Sequence, residues 1–299
     1  MRVRVATATL FSEPTTDRPA DEPALGDVTD IRRWVSGLSD AERMRPAVVT
    51  QALLGEPAIV LEERDGWCRV ALPEQPADDL DPRGYPGWLP SHQLIDDGFD
   101  DADLVVAVTA TTIRDAPDGD LVLSSVVLGT RLRSVEFPRS RRHYDGWRGV
   151  GVPGGGEAFA RSMDLATAGT TTAAARDVLR TAAMLREVPY VWGGLSPFGI
   201  DCSGLVHLSW RRHGVTLPRD AYNQAAATKP VPMGEERPGD LYFFAQSGDR
   251  VHHVGMVAAR PRGETRVMLH ACSTTGHVVI EEVRGERADT LIGVHRVLA

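Results

Sequence analysis

Over the first half of the chain the hydrophobic positions alternate in short runs, as in AIVLEE (residues 58–63) and LVLSSVVL (residues 121–128), punctuated by Gly, Pro and Asp. Period-two alternation predicts half-buried strands, and the Asp-Gly pairs beside these runs supply tight hairpin turns. One stretch departs from this pattern. In IRRWVSGLSDAERMRP (residues 31–46), Ile31, Trp34, Val35 and Leu38 recur at helical spacing, which predicts a short helical insertion. An echo organises the strands around it: DGWCRVALP (residues 65–73) returns as DGWRGVGVP (residues 145–153). Such a repeat predicts two similar small β-barrels, with Trp67 and Trp147 as core residues.

From Ala166 the period becomes helical, and Val178, Ala182 and Leu185 share one face. That helix must end before Pro189, which removes a backbone donor and disfavours helical geometry in Val188. After a Gly-rich turn a second helix is expected to start at Cys202, with Leu205, Val206 and Leu208 toward the core and Gly214 as its C-terminal cap. The segments GDLYFF, VHHVGMVAA, TRVMLHACS, HVVIEE and IGVHRVL then predict an antiparallel sheet, so this part is α+β. A chain of 299 residues is too long for one small core, and the pattern divides it into 1–98, 99–166 and 167–299.

Charge narrows the partners. A net charge of -8 with no Lys/Arg block argues against nucleic acid or an anionic membrane surface. No segment approaches the apolar length of a membrane span, and the first residues show no signal-peptide run, so a cytoplasmic location is expected unless a leader has been removed. Three widely spaced cysteines, Cys68, Cys202 and Cys272, fit a reducing compartment better than a disulfide scaffold.

Cys202 alone has a chemical context. A thiol in the first turn of a helix faces unpaired backbone N–H groups and the positive end of the helix dipole, both of which favour thiolate. It needs a base, and His252 and His253 are neighbours on one expected strand, so only one of them can face it. His270 on the next strand could orient that base. Alternation alone leaves the choice between His252 and His253 open. Two other assignments compete: an inert buried thiol, and a zinc site of Cys202, His253, His270 and Cys272, whose ligands lie too far apart in sequence for the usual structural clusters. No metal and no cofactor is expected.

The ordered motifs SPFGIDCSGLV, RPGDLYFF, HVGMV and MLHA resemble the NlpC/P60 family of papain-like cell-wall peptidases. That resemblance implies a papain-like α+β catalytic domain with Cys202 as nucleophile, His253 as base and His270 completing the triad. QALLGEPAIVLEERDGWCRV and RGYPGWLPSHQL resemble the first of two bacterial SH3 domains carried by the γ-D-glutamyl-L-diamino acid endopeptidases of that family. The implied architecture is two SH3-like β-barrels followed by the catalytic domain. The implied reaction is cleavage between D-Glu and the diamino acid of murein peptides with a free N-terminal L-Ala, in cell-wall peptide recycling. Carried over by motif, Glu56 and Tyr85 would hold the free amine.

The chemistry asks for such groups, since an ammonium and a carboxylate flank the scissile amide. Asp201 could help hold the ammonium and Ser203 the carboxylate, with Trp192 as an apolar wall. The Tyr190 hydroxyl and the Cys202 backbone N–H would meet the developing oxyanion. PRDAYNQ carries Ala221 where many relatives have Ser, so one hydroxyl contact is missing or replaced. Two other functions fit parts of the sequence: an exported peptidoglycan hydrolase anchored by its SH3 domains, and a catalytically silent SH3-type binding protein.

Overall fold

The computed structural model describes residues 1–16, 18–45, 47–98, 102–136, 144–169 and 173–297, and builds them into three main antiparallel sheets and two small two-stranded ones. The first main sheet has the order Val48–Leu53, Thr7–Phe11, Tyr85–Pro90, Trp67–Leu72, Ile59–Arg64. Asp65 and Gly66 join its last two strands with φ of 50° and 81°, and Arg64 pairs with Trp67. Two successive left-handed residues are what a two-residue type I′ hairpin demands, and Asp-Gly supplies them at low cost.

The second sheet has seven strands, ordered Leu121–Val127, Ala110–Arg114, Glu157–Arg161, Trp147–Gly151, Arg131–Val135, Leu104–Val106, Leu165–Thr167. The echo in the sequence is an echo in space. Trp67–Leu72 pairs with Tyr85–Pro90, and Trp147–Gly151 pairs with Glu157–Arg161. Each pair leads into a single 3-10 turn, Ser91–Gln93 or Ser162–Asp164, and then a short strand. Neither repeated tryptophan is a core residue. Both are half-buried, Trp67 edge-on to Phe11 and Trp147 beneath the Arg161 guanidinium. Residue 99, where the second unit was expected to begin, lies outside the described residues, as do Pro46, 137–143 and 298–299.

The insertion forms two helices, Ile31–Gly37 and Asp40–Arg43, the first capped by Asp30 and the second by a Ser39–Glu42 capping box. Trp34 is 1% exposed, and its indole N–H donates to Asp21, which also pairs with Arg18 at 2.7 Å. Ile31, Trp34, Val35 and Leu38 pack on Phe11 and Val48 of the first sheet and on Val191 of the Gly-rich turn. The insertion thus joins the first sheet to the α+β part of the chain.

The third sheet is ordered Lys229–Val231, Leu291–Arg296, Leu241–Phe244, His253–Arg262, Thr265–Cys272, His277–Glu282. Leu241, Phe243, Val254, Met256, Leu269 and Ala271 pack against the helix Cys202–Arg211, while Tyr242, Phe244, Val257 and Met268 form a separate apolar cluster. Strand parity puts these two sets on opposite faces. Helix Ala175–Ala183 stops short of the expected limit, and Gly214 takes the expected left-handed conformation at φ 81°. Helix Ala221–Ala227 and the edge strand Lys229–Val231 were not read from the sequence.

Every residue of helix Cys202–Arg211 is buried, although His207, Ser209 and Arg211 are polar. The N-terminal units explain this. Leu53, Val127 and Leu128 join the helix's apolar cluster, and Arg211 is held by Glu56 and Glu74, each at 2.7 Å. Among the described residues no helix is long and apolar enough to cross a membrane.

Candidate active site

Cys202 is the first residue of its helix, and Asp201 caps it by accepting from the Gly204 N–H at 2.6 Å. A Cβ at Gly204 would sit 2.5 Å from the Gly194 carbonyl, so glycine is what lets the helix start against the Gly-rich turn. Asp201 also accepts from the Gly193 N–H at 2.9 Å and from both terminal nitrogens of Arg219, at 2.9 and 2.7 Å. Arg219 is 1% exposed and reaches Thr50 Oγ1 at 2.9 Å, tying the cap of the Cys202 helix to the first sheet.

Strand register supplies the histidines. His253 opens its strand opposite Phe244, with Gly255 two residues on, on the same face. A Cβ at Gly255 would meet the His270 Cβ at 3.2 Å, so the glycine of the HVG motif leaves space for the second imidazole. His253 Nε2 lies 2.9 Å from His270 Nδ1, and His270 Nε2 lies 2.9 Å from Glu281 Oε1. Cys202, His253, Tyr190, Trp192, Asp201, Ser203 and Tyr85 all line one cavity of about 790 Å³, of the size that takes a small peptide. His270 lies behind His253 and is fully buried. His252 precedes the strand, is exposed and also lines the cavity, so strand alternation does not turn it away from the site.

The expected thiolate requires correction. Burial, then the Asp201 charge, push the Cys202 thiol up to about 12, and the Val254 and Ser203 backbone N–H groups offset this only in part. Burial also drives His253 well below the usual histidine range, helped by His270, Arg287 and His252. His270 is lowered to about 4 by burial and Arg287, against the opposing pull of Glu281. Burial thus opposes thiolate at Cys202 and imidazolium at His253, against the pull of the helix N-terminus. Tyr190, 5% exposed, is pushed well above the usual phenol range by burial and by its neighbours Cys202 and Asp201, so its hydroxyl keeps its proton and can donate.

Two expected amine ligands are corrected by their surroundings. Glu56 does not line the cavity: it is 2% exposed, pairs with Arg211, and accepts from Gln75 at 2.8 Å and the Leu53 N–H at 3.0 Å. Asp201 lines the cavity, but its charge is matched by Arg219. Ser203 is likewise engaged, accepting from Arg219 at 3.0 Å. The acidic group that sequence reasoning missed is Asp220. Its carboxylate accepts from Tyr85 at 3.1 Å and Tyr222 at 3.1 Å, and among the described residues it has no ion pair. Burial raises its proton affinity although Arg219 is near. The signal was present in PRDAYNQ, where the Arg-Asp pair was read only for the Ala221 beside it; Ala221 also lines the cavity.

His270, Cys272 and Glu281 have ligand atoms within 4.8 Å of one another, a set that could hold a metal ion and that differs from the four residues weighed from sequence. Arg287 already serves this cluster as a cation, 3.4 Å from the Cys272 sulfur and 3.6 Å from Glu281. Cys272 has no apolar isolation either, since it also accepts from the Thr275 N–H.

Residues 187–296 match the NlpC/P60 family, and residues 43–94 match the bacterial dipeptidyl-peptidase Sh3 domain. Over 278 residues the chain is 32% identical to a gamma-D-glutamyl-L-lysine dipeptidyl-peptidase of Bacillus subtilis, covering 90% of this chain and 88% of that one. A Bacillus cereus protein of the same name is 31% identical, with 95% and 89% covered. The crystal structure of an NlpC/P60 family protein from Bacillus cereus superposes with a TM-score of 0.88 at 28% identity, covering 99% of this chain and 98% of that one.

Proposed function

The chain belongs to the NlpC/P60 family of cysteine peptidases, with an SH3-like N-terminal domain, and acts on peptidoglycan peptides; on that premise we propose that it cuts the bond between γ-D-Glu and the diamino acid in peptides with a free N-terminal L-Ala. The observation that carries this reading is Asp220, a half-buried carboxylate with two phenol donors and no ion pair among the described residues. A half-buried negative charge that no salt bridge takes up, in a peptide-sized cavity, is complementary to an ammonium. Tyr85 comes from the N-terminal domain, so that domain is part of the substrate site. Met44 and Trp192 line the same cavity. In this reading they close the cleft beyond L-Ala against a sugar-linked stem, and Arg250, Arg284 and Arg287 on its other walls suit substrate carboxylates.

The chemistry starts from neutral partners. The Cys202 sulfur attacks the γ-carbonyl carbon as His253 accepts the thiol proton. The Cys202 N–H, free of an intrahelical acceptor, and the Tyr190 hydroxyl donate to the oxyanion. His253 returns the proton to the leaving amine, and water, deprotonated by His253, releases L-Ala-γ-D-Glu from the acyl-enzyme. We assign the enzyme to recycling of wall fragments in the cytoplasm. Its architecture in this reading is two SH3-like barrels at 1–98 and 99–166 and a catalytic domain at 167–299, supported by the repeated strand, 3-10 turn and strand order.

The test is mass spectrometry of products from L-Ala-γ-D-Glu-L-Lys, its meso-diaminopimelate counterpart and their N-acetylated forms. Release of L-Ala-γ-D-Glu from the free-amine peptides alone is expected. Equal turnover of the blocked peptides overturns the amine reading, and activity in Cys202→Ala overturns the nucleophile. Faster release from intact sacculi than from free peptides would instead favour a wall-anchored hydrolase.

A further inference from the structure

The hydrogen-bonded line that begins at the base does not stop at His270. His253 Nε2 and His270 Nδ1 are 2.9 Å apart, and His270 Nε2 and Glu281 Oε1 are also 2.9 Å apart. A carboxylate can only accept. His270 Nε2 therefore carries the proton, and its neutral ring presents Nδ1 as an acceptor. His253 must then donate from Nε2, which leaves its Nδ1 as a bare lone pair. That nitrogen is the one available to the Cys202 thiol.

We propose that Glu281 is a positioning residue that sets the tautomers of both histidines and so keeps the base nitrogen of His253 unprotonated. The proposal rests on Cys202 and His253 being nucleophile and base. Without the carboxylate, His270 is free to donate from Nδ1. His253 would then accept at Nε2 and carry its proton on Nδ1, where it blocks proton transfer from sulfur. The step itself is balanced: the thiol proton moves to His253 Nδ1, the sulfur lone pair forms the C–S bond, and the Nε2–H stays on His253, still donated to His270.

The fold holds Glu281 for this purpose by register. It pairs across the strands with Met268, on the same face as His270, and Arg287 lies 3.6 Å from its inner oxygen. Arg287 and Cys272 are the other charged or titratable groups gathered around His270 on that side. Glu281 also lines the cavity. Its hydrogen bond to the histidine pair is made at His270, so it acts on His253 by positioning.

The direct test needs no variant. Long-range 1H–15N correlation spectra of ring-labelled histidines at neutral pH are expected to show His253 protonated at Nε2 and bare at Nδ1. In Glu281→Ala the Nδ1–H form is expected to appear, with kcat down by about 10- to 100-fold and KM held within about twofold. Because Glu281 favours protonated His270, its loss moves the acid limb of kcat/KM to lower pH. Glu281→Gln, which keeps an accepting oxygen, recovers part of the rate. A wild-type His253 protonated at Nδ1 overturns the proposal. So does a folded Glu281→Ala enzyme with unchanged kcat and acid limb; if Cys202→Ala is then dead, the peptidase reading survives. Activity in Cys202→Ala brings down both.

Discussion

Arg219 offers the sharpest perturbation of the site's framework. Its guanidinium, 1% exposed, donates to Asp201 at 2.7 and 2.9 Å, Ser203 at 3.0 Å, Thr50 at 2.9 Å and the Gly194 carbonyl at 3.2 Å. Arg219→Met keeps much of the volume and removes all five contacts. Asp201 would remain buried with only the Gly193 and Gly204 N–H groups and the Ser203 hydroxyl as donors. Breaking one side of a buried ion pair costs about 3–5 kcal/mol, and those surviving donors put the expected value near the lower end, about 3 kcal/mol. Thermal unfolding should show a midpoint lower by roughly 5 °C for a chain of this size. Arg219→Lys keeps the charge but not the fork, and should lose about half as much. Adding Asp201→Asn to Arg219→Met removes the orphaned charge, so the double variant should be more stable than the sum of the singles by about 1–2 kcal/mol. An Arg219→Met loss below about 1 kcal/mol, or strict additivity in the double variant, would refute the view that this pair is desolvated and coupled.

Glu56→Gln should lower stability by about 3 kcal/mol, because Arg211 would keep only Glu74, yet leave KM of the folded enzyme unchanged; a selective rise in KM would restore Glu56 as an amine ligand. Alkylation of Cys202 by iodoacetamide should climb steadily with pH above 8, with no plateau on the acid side, since burial pushes this thiol up to about 12; fast labelling at pH 5 would reveal a preformed ion pair. Acid should unfold the protein early. His207 is depressed to about 3 and His270 to about 4, so the unfolded state binds protons that the native state refuses below pH 6.5. The stability contributed by these rings is complete above pH 6.5 and falls as pH drops toward 4, by roughly 3 kcal/mol each. Urea midpoints that stay flat from pH 7 to pH 4 would contradict the burial of neutral imidazoles.

Residues whose role depends on local pattern were legible in the sequence. Cys202 at a helix start, two strands that carry histidines and the Asp65-Gly66 turn follow from spacing and turn chemistry within a few residues, whereas the choice of His253 over His252 came from the motif resemblance. Roles decided by long-range pairing were not. Glu56 looked like a solvated turn residue or an amine ligand, and only the fold shows it meeting Arg211, 155 positions away. Asp201 beside the nucleophile invited a substrate role until Arg219 was found to match it. Asp220 was passed over because Tyr85, its partner, comes from another domain. The environment of Cys202 was half legible for a related reason. The helix N-terminus is visible in sequence, whereas the burial that outweighs it is made by the N-terminal units packing on the helix.

The most direct measurement of the central claim, that Asp220 reads a free α-ammonium, is kcat/KM for wild type and Asp220→Asn on the free-amine peptide and its N-acetylated form. Losing a half-buried ammonium–carboxylate contact is worth about 2 kcal/mol, so Asp220→Asn should reduce kcat/KM on the free-amine peptide by roughly 30-fold. The already slow reaction of the acetylated peptide should be almost unchanged. An equal loss on both peptides, or none on either, would contradict the account.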